Sequence, residues 1–390
     1  MYFRRMSLSR IPPGGNAVPV TRLLKSGSSH FQELFSRHSG FPEENTFYTG
    51  SGTAALYLAL LALKKIHPDR SEVVLPAWCC PSVPQAVLQA GLAPIQADLD
   101  PDSLSYVPES LEKAVTHSTL TVLLVHYFGI PQPKPKLSNP PPLFLRDCAQ
   151  DFDFTNAKES DVAVFYSFGR GKSLNAGHGG ALCLPEGSPL RTVCTEILES
   201  FPKATSSPLV NAALINLLSR PQLFGIVSSL PFFGIGETVW KHPMTFTRIH
   251  PEFFRIGSAC FEALEKHRKA YAELAQNYIR TFSESVDISL PFTRYDERRL
   301  PVRFPVMVKN PALREKLRRE LNRKFGGVTG QYPEILSRLP KVPDAFPKSG
   351  SYPGCEAITK QILTMPVTAW LLGREEEFLG ETGKVLTKRI

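Results

Sequence analysis

The first half of the chain alternates short apolar runs with helical segments. Between about residues 47 and 185 the runs are apolar at nearly every position, which is typical of strands buried on both faces of a parallel sheet. The predicted strands read EVVLPAW, PIQADLD, TVLLVHYFG, PLFLRD and DVAVFYSF, and helices are predicted at 53–65, 82–91 and 108–115. This alternation predicts an α/β layer with a mostly parallel sheet.

The second half predicts a different organisation. Residues 186–250 are irregular, apart from an apolar helix at 208–219 that fits a subunit interface or a core position equally well. Beyond them the pattern predicts an amphipathic helix at 257–278, a strand at 300–308, a basic helix at 313–325 and a last helix near 373–389. A chain of 390 residues exceeds one core. We therefore predict a large α/β domain over 1–250 and a smaller α+β domain over 251–390.

The composition of the chain limits the classes of partner that the protein is expected to bind. Hydrophobic residues make up 42% and charged residues 21%, with no signal-like or membrane-spanning segment, so a cytoplasmic protein without a membrane partner is predicted. The net charge of +9 is dispersed along the chain. In the basic run at 313–325, leucines recur at helical spacing, which indicates an amphipathic helix whose basic residues face solvent. No nucleic-acid partner is therefore predicted. Seven cysteines without C-x-x-C spacing predict neither disulfides nor a metal site.

One lysine stands in a glycine-rich stretch, YSFGRGKSLNAGHGGAL, at 166–182. Gly171-Lys172-Ser173 matches the end of a phosphate-binding P-loop, but Tyr166 occupies the position of that motif's first glycine. A turn and a short apolar strand follow, where a P-loop has a helix whose N-terminus binds phosphate. An NTPase site is therefore not favoured.

Three segments converge if the sheet is parallel, because the carboxyl ends of its strands line one crevice. TGSGTAAL, at 49–56, leaves the amides of Gly52, Thr53 and Ala54 at a helix N-terminus, although such a stretch is also an ordinary turn. Asp147 ends an apolar strand, a position that fits either a contact with a ligand or the cap of the next helix. With Lys172, these groups are the set that pyridoxal phosphate needs: a Schiff-base lysine, a carboxylate for the pyridine nitrogen and a helix N-terminus for the phosphate.

The same motifs resemble a known family. SGTAAL, LPAW, DLDPDSL, VHYFG, RDCAQ and the lysine stretch follow in the order and spacing of the DegT/DnrJ/StrS family of sugar aminotransferases. The resemblance covers roughly residues 30–390 and is strongest over 47–182. It implies the three-layer α/β sandwich of fold type I PLP-dependent transferases with a smaller C-terminal domain. It also implies homodimers with shared active sites, which aminate nucleotide-linked keto sugars with glutamate as donor.

The resemblance assigns roles by position. Lys172 matches the lysine that forms the internal aldimine with the cofactor, and Asp147 the partner of the pyridine nitrogen. Gln150 matches the glutamine near the ring hydroxyl, and Trp78 the aromatic residue that stacks on the ring. The matching phosphate ligands are Ser167 and the helix start at Gly52, Thr53 and Ala54.

Some positions depart from the family. His178 stands where members usually have glutamate or an equivalent residue. GRGK replaces a serine- or asparagine-rich segment around the lysine and puts Arg170 beside the expected cofactor pocket. Phe253 replaces an asparagine that reaches the partner subunit's phosphate. The predicted substrate contacts are Arg170, His178, Arg255 and Tyr332. Three alternatives to a nucleotide-sugar aminotransferase stay open: transamination of a non-sugar acceptor, a PLP-dependent sugar dehydratase, and a non-catalytic regulatory relative.

Overall fold

The fold is described from a computed structural model. It describes residues 9–19, 29–151, 161–227, 238, 240, 243–292 and 301–387. No helix in these ranges is long and apolar enough to cross a membrane.

A seven-stranded mixed sheet forms the larger layer, in the spatial order β1-β7-β6-β5-β4-β2-β3. The strands from β2 to β6 pair in parallel, whereas β7 pairs antiparallel with both β1 and β6. The strands are β1 Thr46–Thr49, β2 Glu72–Pro76, β3 Ala93–Ala97, β4 Thr119–Val125, β5 Leu143–Asp147, β6 Val162–Ser167 and β7 Gly180–Cys183. Because β4 and β5 are buried at every position, both faces of the sheet are covered by the rest of the chain.

A smaller antiparallel sheet follows later in the chain, in the order β10-β9-β8. Its strands are β8 Ile288–Ser289, β9 Arg303–Val308 and β10 Ile362–Pro366. The helices of the first half are α1 Phe31–Ser39, α2 Gly52–Ile66, α3 Ser82–Gln89, α4 Pro108–Ala114 and α5 Leu190–Ser200. Those of the second half are α6 Pro208–Leu218, α7 Pro221–Val227, α8 Glu252–Ser283, α9 Pro311–Lys324, α10 Pro353–Gln361 and α11 Glu375–Thr387.

The start of α2 is fixed by close backbone packing. Ser51 caps the helix by accepting a hydrogen bond from the Ala54 amide at 3.1 Å. A Cβ at Gly52 would lie 2.6 Å from Ser167 Cβ, and a Cβ at Gly180 would lie 2.4 Å from the Gly52 nitrogen. Only glycine therefore lets β6, β7 and the N-terminus of α2 approach this closely.

The predicted fold class is confirmed: the protein has a mostly parallel α/β sheet with flanking helices and a second, smaller sheet. The five predicted strands and the three predicted helices of the first half are all present. Helix α8 is longer than predicted, since it begins at Glu252 and ends at Ser283. The core position considered for the 208–219 helix is wrong, because only Pro208 and Ala212 of α6 are buried. The domain boundary after residue 250 stays a prediction.

Candidate functional site

A cavity of about 180 Å³ lies at the carboxyl ends of β4, β5 and β6. It is lined by Gly52, Thr53, Leu56, Cys80, Ser82, Val83, Val125, His126, Asp147, Ala149, Gln150, Phe165, Ser167, Lys172 and Tyr332. Seven of these were predicted as site residues: Gly52, Thr53, Asp147, Gln150, Ser167, Lys172 and Tyr332. The parallel sheet therefore brings together segments separated by up to 280 positions in sequence, from Gly52 to Tyr332 (332 − 52).

Hydroxyl groups collect where α2 begins. Thr53 Oγ1 donates to Ser82 Oγ at 3.4 Å, and Ser82 Oγ lies 3.1 Å from Cys80 Sγ. Ser167 closes the same corner, since its Oγ would be 3.1 Å from a Cβ at Gly52. Hydroxyl donors at the positive end of a helix dipole form a suitable site for an anion such as phosphate.

Asp147 contributes a buried carboxylate. It is the last residue of β5 and is 7% exposed. Its Oδ1 accepts a hydrogen bond from the Ala149 amide at 2.9 Å. Burial raises the pKa of the Asp147 carboxyl, and this effect exceeds the lowering by the Ala149 hydrogen bond and by the charge of Lys172. A cationic partner inside the cavity would therefore stabilise the carboxylate.

Lys172 belongs to the loop between β6 and β7. Its amide donates to the Gly169 carbonyl at 3.3 Å, and Gly169 forms a bridge with Gly177, so the loop is closed on itself. Gly171 has a φ of 79°, a conformation that favours glycine. The N-terminal segment packs on this turn, because a Cβ at Gly15 would lie 3.0 Å from the Gly171 Cα. The backbone on both sides of Lys172 is thus held while its side chain lines the cavity.

Gln150 and Tyr332 line another part of the cavity wall and are hydrogen-bonded to each other. The Gln150 amide accepts from the Phe128 backbone N–H at 3.2 Å and donates to the Tyr332 hydroxyl at 3.3 Å. With both ends of the amide engaged, its orientation is set. Burial raises the pKa of the Tyr332 phenol well above its ordinary value, so the hydroxyl keeps its proton at neutral pH.

Two predicted cofactor contacts stand apart from the cavity. Trp78 is fully buried between Tyr127 and Tyr332, and its Nε1 donates to the Tyr332 carbonyl at 3.1 Å. Cys80, two residues later, lines the cavity in its place. Trp78 therefore supports the wall, and the geometry does not favour a stacking role. The Ala54 amide is already bonded to Ser51, which leaves Gly52 and Thr53 at the helix start facing the cavity.

Three predicted substrate contacts also lie outside the cavity lining. Arg170 is exposed, Arg255 is half-buried on α8, and His178 packs edge-on against Phe253 with 5.4 Å between ring centroids. Burial lowers the pKa of His178. Phe253 itself is completely buried within the chain, packed against Phe31 and Phe168, so it occupies a core position.

Eight of the residues that line the cavity were not predicted, and two of them, Ser82 and His126, carry a hydroxyl or an imidazole group that could contact a ligand. Ser82 opens α3, and His126 follows β4, whose carboxyl end lies beside that of β5. His126 is buried with its Nδ1 2.8 Å from Asp151 Oδ2, and its backbone N–H donates to the Asp147 carbonyl at 3.0 Å. The polar residue directly after the apolar strand in VHYFG was the available signal.

Comparison with known proteins shows which family this part of the chain is similar to. The model of the DegT/DnrJ/EryC1/StrS aminotransferase family matches residues 24–197. A dTDP-4-dehydro-2,3,6-trideoxy-D-glucose 4-aminotransferase of Saccharopolyspora spinosa is 35% identical over 101 residues, 26% of each chain. An L-glutamine:2-deoxy-scyllo-inosose aminotransferase of Streptomyces kanamyceticus is 27% identical over 190 residues, 44% of each chain. The matches thus span between a quarter and under half of these relatives' lengths.

Solved structures extend the likeness in fold to the whole chain. Helicobacter pylori PseC, an aminotransferase involved in the biosynthesis of pseudoaminic acid, aligns with a TM-score of 0.69 at 15% identity over 99% of this chain and 100% of its own. The NtdA structure from Bacillus subtilis, which holds PMP, aligns with a TM-score of 0.66 at 21% identity over 98% of this chain and 87% of its own. At these identities the structures establish the fold alone. Residues 24–197, which include both Asp147 and Lys172, thus match the model of the DegT/DnrJ/EryC1/StrS aminotransferase family.

Proposed function

We propose that the protein is a PLP-dependent aminotransferase that moves an amino group from glutamate to a keto sugar carried on a nucleotide. The observation that carries the proposal is the shared cavity of Lys172, Asp147 and the hydroxyls at the start of α2. A phosphate-only site would not need a buried strand-end carboxylate, because that charge repels an anion.

The residues present fit the cofactor. Thr53, Ser82 and Ser167, with the first amides of α2, would hold its phosphate. Asp147 would face its ring nitrogen, since the buried carboxylate gains from a protonated partner. Gln150, locked by Tyr332 and Phe128, would border the ring. When bound, pyridoxal phosphate supplies an aldehyde that takes up amines and a ring that accepts electrons.

The chain's own groups then have separate tasks. Lys172 Nζ would hold the cofactor. As a free amine it would take a proton from the α-carbon of the amino donor in the first half-reaction, and it would give a proton to the former keto carbon of the acceptor in the second. Asp147 keeps the ring nitrogen protonated, because its carboxylate accepts that hydrogen bond in a buried setting. The tight packing of the glycine loop on Gly15 limits how far Lys172 moves between these tasks.

The proposed substrates are based on the names of two related enzymes. One related enzyme is named for a dTDP-linked keto sugar and another for glutamine and a cyclitol ketone. Both names describe transfer of an amino group to a ketone on a sugar or sugar-like ring, which supports a sugar-like acceptor here. We place the reaction in the cytoplasm, where the seven free cysteines of the structure would stay reduced.

We also propose a homodimer, with α6 and α7 at the subunit contact. Among the described residues, four of the five exposed large hydrophobic side chains lie on these two helices: Val210, Leu214, Leu217 and Ile226. They are between 47% and 66% exposed, and the fifth, Val286, lies in a turn elsewhere. Exposed apolar side chains grouped on two successive helices are typical of a surface that a partner covers.

Lys172→Ala tests the proposed activity. We expect the purified protein with pyridoxal phosphate to show a visible absorbance band and to aminate a keto sugar from a nucleotide-sugar panel, using glutamate or glutamine. Lys172→Ala should lose the band and slow the transfer by about 10²–10⁴-fold or more, because anchor and proton carrier are both removed. Lys65→Ala, which removes a surface lysine paired with Glu196, is the matched control and should retain both properties. An unchanged band in Lys172→Ala contradicts the proposal.

Asp147→Asn is expected to change the stability and the activity of the protein in opposite directions. A folded-state pKa above the unfolded value means that the carboxylate costs folding free energy at neutral pH, and this cost disappears below about pH 4. The cofactor-free variant should therefore be more stable than wild type at pH 7, with the difference vanishing towards pH 4, while amino transfer falls by about 10²–10³-fold. Thermal unfolding at several pH values and steady-state rates measure the two effects. A variant that is destabilised at pH 7 would refute the assigned cost of burial.

Leu214→Glu tests the subunit contact. A charge at the centre of a buried apolar interface should shift the protein from dimer to monomer in light scattering coupled to size-exclusion chromatography. Val286→Glu, an equal change at a 99% exposed position, should leave the mass unchanged. A dimer that survives Leu214→Glu would place the contact elsewhere.

A further inference from the structure

We propose that His126 and Asp151 form a positioning pair, which holds Asp147 and Gln150 in place against the cofactor. The inference rests on the proposed aminotransferase function and deepens it, because it names two residues that act on the cofactor through others. Neither His126 nor Asp151 was among the predicted site residues.

The chain makes a strained turn directly after β4. Residues Tyr127–Gly129 form a single 3-10 turn, and the Gly129 amide donates to the His126 carbonyl at 3.3 Å. Phe128, inside this turn, has a φ of 56° and a ψ of 23°, a left-handed conformation that a bulky residue rarely adopts. Such a conformation persists only where the surrounding contacts fix it. The turn therefore depends on contacts with neighbouring parts of the chain.

Three hydrogen bonds between described residues tie this turn to the segment after β5. The His126 backbone N–H donates to the Asp147 carbonyl at 3.0 Å, and the Phe128 backbone N–H donates to Gln150 Oε1 at 3.2 Å. The third joins two side chains, His126 Nδ1 and Asp151 Oδ2, at 2.8 Å. Asp147 and Gln150, which line the cavity, thus belong to a short segment that is bound to the turn at both of its ends.

The contact between His126 and Asp151 is shielded from water. The two side chains are 0% and 1% exposed, and Cys148 Sγ lies 3.7 Å from the same imidazole nitrogen. A Cβ at Gly129 would lie 3.7 Å from Asp151 Oδ1, so the carboxylate also packs against the turn. A hydrogen bond in such a setting is stronger than one at the surface, and the loss of one partner leaves the other buried and uncompensated. The pair is therefore a firm restraint on both segments.

Two other roles fit the pair less well. A proton carrier has to reach the substrate, and the His126 side chain is 0% exposed although the residue borders the cavity. A zinc ion bound by the cluster of His126, Cys148 and Asp151 would require wider spacing, because two ligand atoms held tetrahedrally by zinc are about 3.3 Å apart. Nδ1 and Oδ2 are instead at the hydrogen-bond distance of 2.8 Å. The geometry therefore favours a hydrogen-bonded pair that supports the cavity wall.

The pair controls two groups that are expected to contact the cofactor. The direction of the Asp147 carboxylate follows the backbone, since its Oδ1 accepts from the Ala149 amide at 2.9 Å. The Gln150 side chain is likewise held by the Phe128 amide of the turn. Loss of the contact between the turn and Asp151 would therefore loosen both groups at once, without removing either from the cavity.

The test compares variants in their affinity for PLP and in the pH titration of the visible band. Asp151→Ala should weaken PLP binding by about 10-fold, the effect of losing one hydrogen bond to a charged group. The midpoint of the band's titration should move to higher pH. A ring nitrogen held less firmly by Asp147 is less positive, so the cofactor's link to Lys172 keeps its proton to higher pH. Asp151→Asn retains an acceptor of the same shape and should restore both values to near those of wild type.

A matched control separates positioning from a general loss of stability. Asp98 is another buried carboxylate, which accepts from the Gly354 and Cys355 backbone amides at 2.9 and 2.8 Å and does not line the cavity. Asp98→Ala should lower the unfolding temperature but leave the PLP affinity and the titration midpoint at their wild-type values. If Asp151→Ala fails to fold, the double variant His126→Phe with Asp151→Ala takes its place, because no unpaired buried charge remains in it. The double variant should show the same two shifts.

Each outcome decides between explanations. Where the wild type shows a band that depends on Lys172, a wild-type PLP affinity and midpoint in Asp151→Ala or the double variant would overturn the positioning role alone. Equal changes in Asp151→Ala and Asp98→Ala would also overturn it, since the effect would then follow stability. A wild type without the band contradicts the proposed function and, with it, this assignment. Shifts in Asp151→Ala that Asp151→Asn restores and Asp98→Ala lacks support both.

Discussion

The site depends on a backbone contact that admits no side chain. Gly180 of β7 and Ser167 of β6 meet the first residue of α2 so closely that Cβ atoms at Gly180 or Gly52 would approach their neighbours to within 2.6 Å or less. This contact places the positive end of α2 beside the Ser167 hydroxyl, and it also sets where the lysine loop leaves β6. The proposed phosphate site and Lys172 are therefore positioned by the same backbone contact, and the rest of the sheet holds that contact in place.

Two buried charged side chains near the cavity lower the stability of the folded protein. Asp147 is buried and forms no ion pair with the described residues, and burial raises its pKa. Arg303 donates hydrogen bonds to Thr329 and Gln331, and among the described residues it has neutral acceptors alone. Each group is poorly compensated within the chain and would gain from a ligand of opposite charge. Such uncompensated groups are typical of functional sites, because the missing partner is supplied by cofactor or substrate.

Much of the site could be predicted because it lies at the ends of apolar strands. Asp147, Ser167 and Lys172 follow or end such strands, and a parallel sheet brings their carboxyl ends to one edge. The residue that would stack on the cofactor ring was harder to predict. Strand β2 ends at Pro76, and beyond a strand the alternation of side chains between its two faces no longer indicates which residue faces the site. The family resemblance assigned the stacking role to Trp78, whereas Cys80 lines the cavity.

Other features depend on packing between distant segments. Arg303 is defined by contacts with Gly14, Thr329 and Gln331, which no local pattern reveals. The exposure of α6 was likewise open, since an apolar helix has the same composition in a core as at an interface. Phe253, considered for its missing contact with a partner subunit, fills an aromatic cluster with Phe31 and Phe168.

The central claim is that Lys172 forms the covalent link to the cofactor. Borohydride reduction of the PLP-loaded protein, followed by proteolysis and mass spectrometry, locates that link directly. The account predicts one pyridoxyl group per chain, on the peptide that contains Lys172. A pyridoxyl group on a different lysine, or none after reduction, would contradict it.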